Sequence, residues 1–333
     1  MSVAKVSVVV PVYNVEQYLG ACLDSLINQT LQDIEIVCIN DCSTDNSLSI
    51  LKEYAQKDNR IKIINQEVNQ GQGVGRNIAI EAATGEYIMF CDPDDWFELC
   101  ACEDAYRQIK NNNNDIVFFN VYNYSENKDY GKIDSRRLSR FWGYTNEKNL
   151  RLKDIEKPFI VTGEIWYKIY KTSFLKENNI KFSNGKFGED GQFTIGALLK
   201  ADTVSVLNKV LYNYRVARQD SSSGANDIGK FELYLNEKRS NYQMIMESED
   251  NSWILSSFIP YYIDSVLHYY KKFRHQHRKF EDKVKLYNLA QSVFKQLDAD
   301  HDLSEHLGPK RFKGIKHFIK YSYIQSKFVK LFK

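Results

Sequence analysis

No histidine occurs before position 268, so any acid–base chemistry in the first 267 residues falls to other groups, chiefly carboxylates. Proline is scarce at 5 and glycine stands at 16, beside 43% hydrophobic and 26% charged residues, which excludes collagen-like, low-complexity and disordered chains. No run of about 20 apolar residues occurs, so a membrane-spanning helix is not expected. The opening apolar stretch is broken by Pro11, Asn14 and Glu16 and is too brief for a signal-peptide core. There is no CxxC pair; Cys22, Cys38, Cys42, Cys91, Cys100 and Cys102 read as reduced, mostly core residues of a cytosolic protein. Charge of one sign is also missing. With 45 Lys+Arg against 43 Asp+Glu, a chain-wide nucleic-acid surface is excluded while a local basic patch is not.

The 333 residues suffice for about two domains, or one α/β domain with an appendage. Strand-like runs at Val6–Val12, Ile34–Ile39, Ile61–Ile64, Tyr87–Cys91 and Ile116–Tyr122 alternate with helical spacing, the pattern of strands joined by crossover helices. An open doubly wound sheet is expected, with a ligand crevice at the carboxyl ends of its strands. Positions 125–157 are polar and irregular. Beyond them the sequence predicts order at Ile160–Tyr170, a helix from Asp190 to Lys200, and paired strands at Val204–Leu207 and Val210–Val216. The chain reads as helical from about Gly229.

The strongest chemical signal is Asp92-Pro93-Asp94-Asp95, three carboxylates in four positions at the end of a hydrophobic strand. Such acids repel one another unless a cation joins them, and oxygen ligands at this density suit Mg²⁺ or Mn²⁺ holding a phosphate. The bland alternative is an acidic turn capping the next helix. Asn69 to Asn77, NQGQGVGRN, places glycines and Arg76 at a helix start, where backbone can approach an anionic group closely. It fits neither GxGxxG nor GxxxxGK[ST]. Glu189 and Asp190 stand ahead of a predicted helix, as candidates for a base or simply as a complement to the helix dipole.

VSVVVPVYN, INDCSTDNS, NQGQGVGRN, GEYIMFCDPDDW, GEIWYKIYK, GEDGQF and YNYRVARQDSSS follow in order from about position 6 to 223. Together they resemble the family 2 glycosyltransferases of GT-A fold, inverting enzymes of bacterial surface-polysaccharide assembly. The resemblance implies a mostly parallel, Rossmann-like nucleotide-binding half at 1–124, an acceptor-side half at 125–223 and a helical C-terminal region at 224–333. It implies that Pro11, Val12, Tyr13, Glu16, Asp41, Arg76 and Asp92 bind the donor nucleotide. It gives Asp94 and Asp92 to Mn²⁺ or Mg²⁺, the role of base to Asp190 and a supporting role to Glu189. Arg215, Arg218, Ser221 and Ser223 become the groups that meet the departing diphosphate, and Trp166, Lys168 and Tyr170 the acceptor-side strand. Related sequences often carry a histidine near 218–219; Arg218 and Gln219 stand there instead.

The expected activity is therefore metal-dependent transfer of a sugar from a nucleoside diphosphate, UDP above all, to an oligosaccharide or lipid-linked glycan, with no role for nucleic acid. A nucleotidyltransferase would want a glycine-rich, Lys/Arg-containing loop after the first strand, and PVYNVEQYL lacks one. A degenerate sugar-binding protein is the third reading, against which Asp92, Asp94 and Asp190 stand. After Glu305 come eight cations and no acid, interspersed with Phe and Ile, a pattern that suits an anionic membrane surface or a helix packed on its own domain. A cytoplasmic protein, peripheral on the inner face of the plasma membrane, is the corresponding expectation.

Overall fold

A computed structural model describes residues 4–125, 132–133, 149–154, 163–184, 188–216, 228–277 and 279–320. The chain divides into two compact units, the first formed by 1–155 with 162–219 and the second by 156–161 with 220–333.

In the first unit, β1 (Val6–Val12), β2 (Ile34–Asn40), β3 (Ile61–Asn65) and β4 (Tyr87–Phe90) lie in the order β3-β2-β1-β4, all parallel. α1 (Glu16–Ile27), α2 (Ser47–Lys57) and α3 (Gln72–Ala82) make the crossovers. Every residue of β1 and β2 is buried, as covered parallel strands require, and this is why both read as largely apolar runs, broken by Ser7, Glu35 and Asn40. Pro11 is tolerated inside β1 because β4 has already left it: the last β1–β4 pair is Val9 with Phe90. Val9 O accepts from Cys91 N on that side, so the amide that Pro11 lacks would face the same, unpaired side two residues on.

Beyond β4 the sheet becomes mixed. β8 (Lys168–Lys171) inserts antiparallel between β4 and β6 (Ile116–Ser125), and the short β5 (Trp96–Phe97) pairs antiparallel with β9 (Val204–Val216). The two strands expected at 204–207 and 210–216 do not pair with each other. They are one strand, β9, running parallel to β6, with its register displaced where Phe119 faces Leu207, Asn120 faces Val210 and Val121 faces Tyr212. Asn208 and Lys209 are exposed at the displacement, and Asn208 Oδ1 accepts from Asn120 Nδ2 at 2.9 Å. That polar break made one strand look like two. α4 (Ala101–Asn112) precedes β6, β7 (Lys132–Ile133) pairs with it, and α5 (Thr172–Glu177) and α6 (Glu189–Lys200) complete the unit.

A buried carboxylate pins the opposite end of the sheet. Glu35 accepts from Ser7 Oγ at 2.5 Å, Lys62 Nζ at 2.5 Å, Thr84 N at 2.6 Å and Gly85 N at 3.2 Å. Burial alone would raise its pKa, but these donors outweigh it and hold the carboxyl down at about 2. A Cβ on Gly85 would stand 2.5 Å from Ser7 Oγ and 2.6 Å from Ser7 N, where backbone cannot yield. Gly85→Ala is expected to cost about 1–3 kcal/mol by overpacking and to lower the melting temperature by several degrees. An unchanged thermal midpoint would show that the network relaxes freely.

The second unit is helical: α7 (Ile228–Met246), α8 (Ser252–Gln276), α9 (Phe280–Asp300), α10 (Leu303–His306) and α11 (Pro309–Lys320). No helix among the described residues is long and apolar enough to cross a membrane. α11 is the described half of the basic tail. Ile315 is buried, Phe318 stacks on Tyr287 with ring centroids 4.1 Å apart, Arg311 pairs with Asp264 and Lys316 with Asp298. Of the two readings of the tail, packing on its own domain holds for Ile315 and Phe318 within 309–320. Residues 321–333 lie outside the described residues.

Candidate active site

The acidic loop follows β4 directly. Asp95 N donates to Asp92 O at 3.0 Å, closing a turn that gathers carboxylate oxygens of Asp92, Asp94 and Asp95 within 4.8 Å of one another. These three differ in what surrounds them. Asp95 is 1% exposed, accepting from Tyr212 Oη and from Arg215 N, each at 2.7 Å. Burial, then Asp94 and Asp92, push its pKa well up against those two donors. With both oxygens engaged, Asp95 orders the loop, while Asp94 and Asp92 carry the hard oxygen donors that fit a small divalent cation.

On the other side of the crevice Asp41 accepts from Gln70 N and Gly71 N, both at 2.8 Å, and so holds the glycine-rich turn. Gly71 sits at φ 91°, a conformation few other residues adopt. A Cβ on Gly73 would stand 2.6 Å from Ser183 O, which explains a second glycine. α3 begins at Gln72 and brings Arg76 inward one turn later. Arg76 is 1% exposed. Its Nη2 donates to Asp92 Oδ1 at 2.9 Å and to Gln72 Oε1 at 3.0 Å; its Nη1 donates to Asp190 Oδ1 at 2.7 Å and to Glu189 Oε1 at 3.4 Å. A buried guanidinium is tolerable only when its charge is met, as it is here at both Nη atoms, although Nε has no hydrogen-bond partner among the described residues. One cation thus joins the acidic loop to the head of α6.

Gly188, at φ 78°, turns the chain so that Glu189 and Asp190 open α6. The helix dipole favours ionised acids there. Burial works the other way on Asp190, which is pushed up to about 7; Arg76 opposes the rise, whereas Glu189, Asp92 and Glu164 reinforce it. The start of α6 is pressed against the segment before β8, where a Cβ on Gly163 would meet Gly191 Cα at 2.9 Å.

The remaining expected residues divide. Pro11 and Val12 end β1, and Tyr13, 42% exposed, stands beside them at the crevice. Glu16 Oε2 accepts from Asn46 N at 2.8 Å and Asn46 Nδ2 at 2.7 Å, tying the loop after β1 to the loop after β2. The picture of Trp166, Lys168 and Tyr170 presenting themselves to an acceptor is corrected. Trp166 is buried and stacks on Tyr212 and Tyr214 at 4.7 and 5.1 Å; Lys168 is buried with Nζ 3.7 Å from the Tyr167 ring centroid and donating to Glu164 O; Tyr170 is buried against Phe90 and Phe193. Their alternation along a strand covered on both sides put all three in the core. Arg215 lies among the rings of Tyr18, Trp96 and Tyr124, 5.1 to 5.5 Å from their centroids, and its Nε donates to Asp94 O at 3.0 Å. Arg218, Ser221 and Ser223 lie outside the described residues.

Tyr212 escaped the sequence reading, and Asp95 entered it only as the third acid of the cluster, with no role of its own. The available signal was that a third acid in so hydrophobic a segment needs its own donor, and that a tyrosine in a buried strand needs a partner for its hydroxyl.

Residues 7–173 match the description Glycosyl transferase family 2. The chain is 39% identical over 218 residues to Glycosyltransferase GlyA of Streptococcus pneumoniae, a match covering 64% of this chain and 31% of that protein. It is 38% identical, again over 218 residues, to a poly(ribitol-phosphate) beta-glucosyltransferase of Bacillus spizizenii, covering 64% of this chain and 32% of that protein. The matched segment thus spans about a third of either relative's length. Among solved structures, residues 1–349 of S. aureus TarS in complex with UDP-GlcNAc superpose with a TM-score of 0.73 at 25% identity, covering 96% of this chain and 92% of that one.

Proposed function

The chain belongs to glycosyl transferase family 2, and from that premise we propose that it moves a sugar from a UDP-sugar to a saccharide hydroxyl with inversion, in a metal-dependent reaction. The observation that carries this reading is the Arg76 bridge, which sets Asp92 of the acidic loop and Asp190 of α6 around one guanidinium. Pro11, Val12, Tyr13, Asp41 and Glu16 form or brace the nucleotide wall, and Arg76 with Asp92 closes the pocket on the donor side. When bound to Asp94 and Asp92, Mn²⁺ or Mg²⁺ supplies the counter-charge that the leaving diphosphate needs. Asp190 takes the proton of the acceptor hydroxyl, whose oxygen attacks the anomeric carbon from the face opposite UDP. The bond from that carbon to the diphosphate oxygen breaks and UDP leaves with the electron pair. Burial raises the pKa of Asp190, and Glu189 adds to the rise while sharing Arg76 with it. Arg218, Ser221 and Ser223 are proposed to meet the diphosphate, with Arg215 holding the loop beneath it.

The TarS fragment was solved with UDP-GlcNAc, and the B. spizizenii relative is named for a poly(ribitol-phosphate) acceptor. For this chain the acceptor is proposed to be a surface glycan, lipid-linked or already polymerised. The cations of α11, continued in sequence by Lys327, Lys330 and Lys333, suit an anionic membrane surface on the cytoplasmic side, where a lipid-linked acceptor would lie. Thermal stabilisation and hydrolysis across UDP-, GDP-, ADP- and CMP-sugars, each with and without Mn²⁺, tests the donor without knowing the acceptor. A UDP-sugar is expected to raise the melting temperature and to be slowly hydrolysed only with the cation. Stabilisation by none of them would sink the reading.

A further inference from the structure

We propose that Tyr212 is a positioning residue that sets the cation affinity of the acidic loop by holding Asp92 and Asp95 through one hydroxyl; this rests on the metal-dependent reading above. Drawing two carboxylates together on a tight turn is opposed by their repulsion, so the turn needs an anchor in rigid structure. The Tyr212 hydroxyl provides it from β9, accepting from Asp92 N at 3.1 Å and donating to Asp95 Oδ2 at 2.7 Å. The second Asp95 oxygen accepts from Arg215 N, three residues further along the same strand, and Arg215 Nε returns to Asp94 O. The loop is therefore fastened to β9 at three points, through the backbone of Asp92 and Asp94 and through the side chain of Asp95.

The ring that carries this hydroxyl has no freedom. Tyr212 is buried, stacked on Trp166 with an interplanar angle of 14° and set edge-on to Phe97 at 5.5 Å. The register displacement in β9 delivers it there, since Tyr212 faces Val121 only after the extra residues 208, 209 and 211. Trp166, expected to serve an acceptor, instead backs the residue that shapes the donor side.

The test is Mn²⁺ binding by calorimetry with UDP present, on the full chain. Tyr212→Phe keeps the ring and removes the one oxygen; it is expected to weaken Mn²⁺ binding tenfold or more. Phe97→Leu disturbs the same packing but keeps the hydroxyl, and is expected to leave Mn²⁺ binding within about twofold while lowering the thermal midpoint. Unchanged Mn²⁺ affinity in Tyr212→Phe overturns the inference. Equal weakening in both variants, or a Tyr212→Phe protein that does not fold, assigns a merely structural role and also overturns it. A wild-type protein that binds UDP without any response to Mn²⁺ brings down the metal-dependent reading itself, a result distinct from the others.

Discussion

Asp190→Asn is expected to leave donor affinity within a few-fold of wild type and to lower sugar transfer by about 10²–10⁴-fold, the range that a positioned general base contributes. Asparagine keeps the shape and still accepts from Arg76, so the salt-linked head of α6 persists, but it cannot take a proton from an acceptor hydroxyl. The pH dependence follows from the same group. A base works in its ionised form, and Asp190 is pushed up to about 7, so kcat/KM should rise with pH through an acidic limb near that value. An unperturbed carboxylate would place the limb near 4, about three pH units lower. Calorimetry with UDP and a pH series of transfer rates check both statements. Turnover near wild type in Asp190→Asn would move the base elsewhere, with Glu189, which also touches Arg76, the next candidate.

Asp94→Ala should abolish cation-dependent donor binding, an effect of about 10²-fold or more if several kcal/mol of charge stabilisation are lost. Asp92 shares one oxygen with Arg76, and Asp95 has both oxygens engaged, so neither is placed to substitute for the missing carboxylate. Removing Asp94 also relieves repulsion on Asp95, whose pKa is raised in part by Asp94. The loop should therefore stay folded while losing its ligand. Mn²⁺-dependent UDP binding equal to wild type would refute the assignment.

Much of this was legible in the sequence because local pattern and tertiary demand agreed. β1, β2 and β4 declared themselves as largely apolar runs because parallel strands covered on both faces favour them. The carboxylates of Asp92, Asp94 and Asp190 were conspicuous because charge beside buried strands needs a reason. What failed depended on partners distant in sequence. Nothing near position 76 announces that Arg76 reaches residues 113 and 114 positions away. Trp166 and Tyr170 looked fit for sugar stacking, since an aromatic ring suits a sugar and a core equally well; only their neighbours decide. The break at Asn208–Lys209 carried the composition of a hairpin turn, yet the strand passes through it, because its partner is β6 rather than itself.

That break has a bearing on how the chain can change over generations. Exposed, polar and away from the crevice, Asn208 and Lys209 look like a place where codons could be gained or lost harmlessly. They are instead a phase-setter. Side chains along a strand alternate between faces, so losing a single codon here would invert the orientation of everything from Tyr212 to Arg215. Point substitutions at 209 should be far better tolerated than those at 208, which serves the buried Asn120 amide, while length variants of the same dipeptide should be among the rarest.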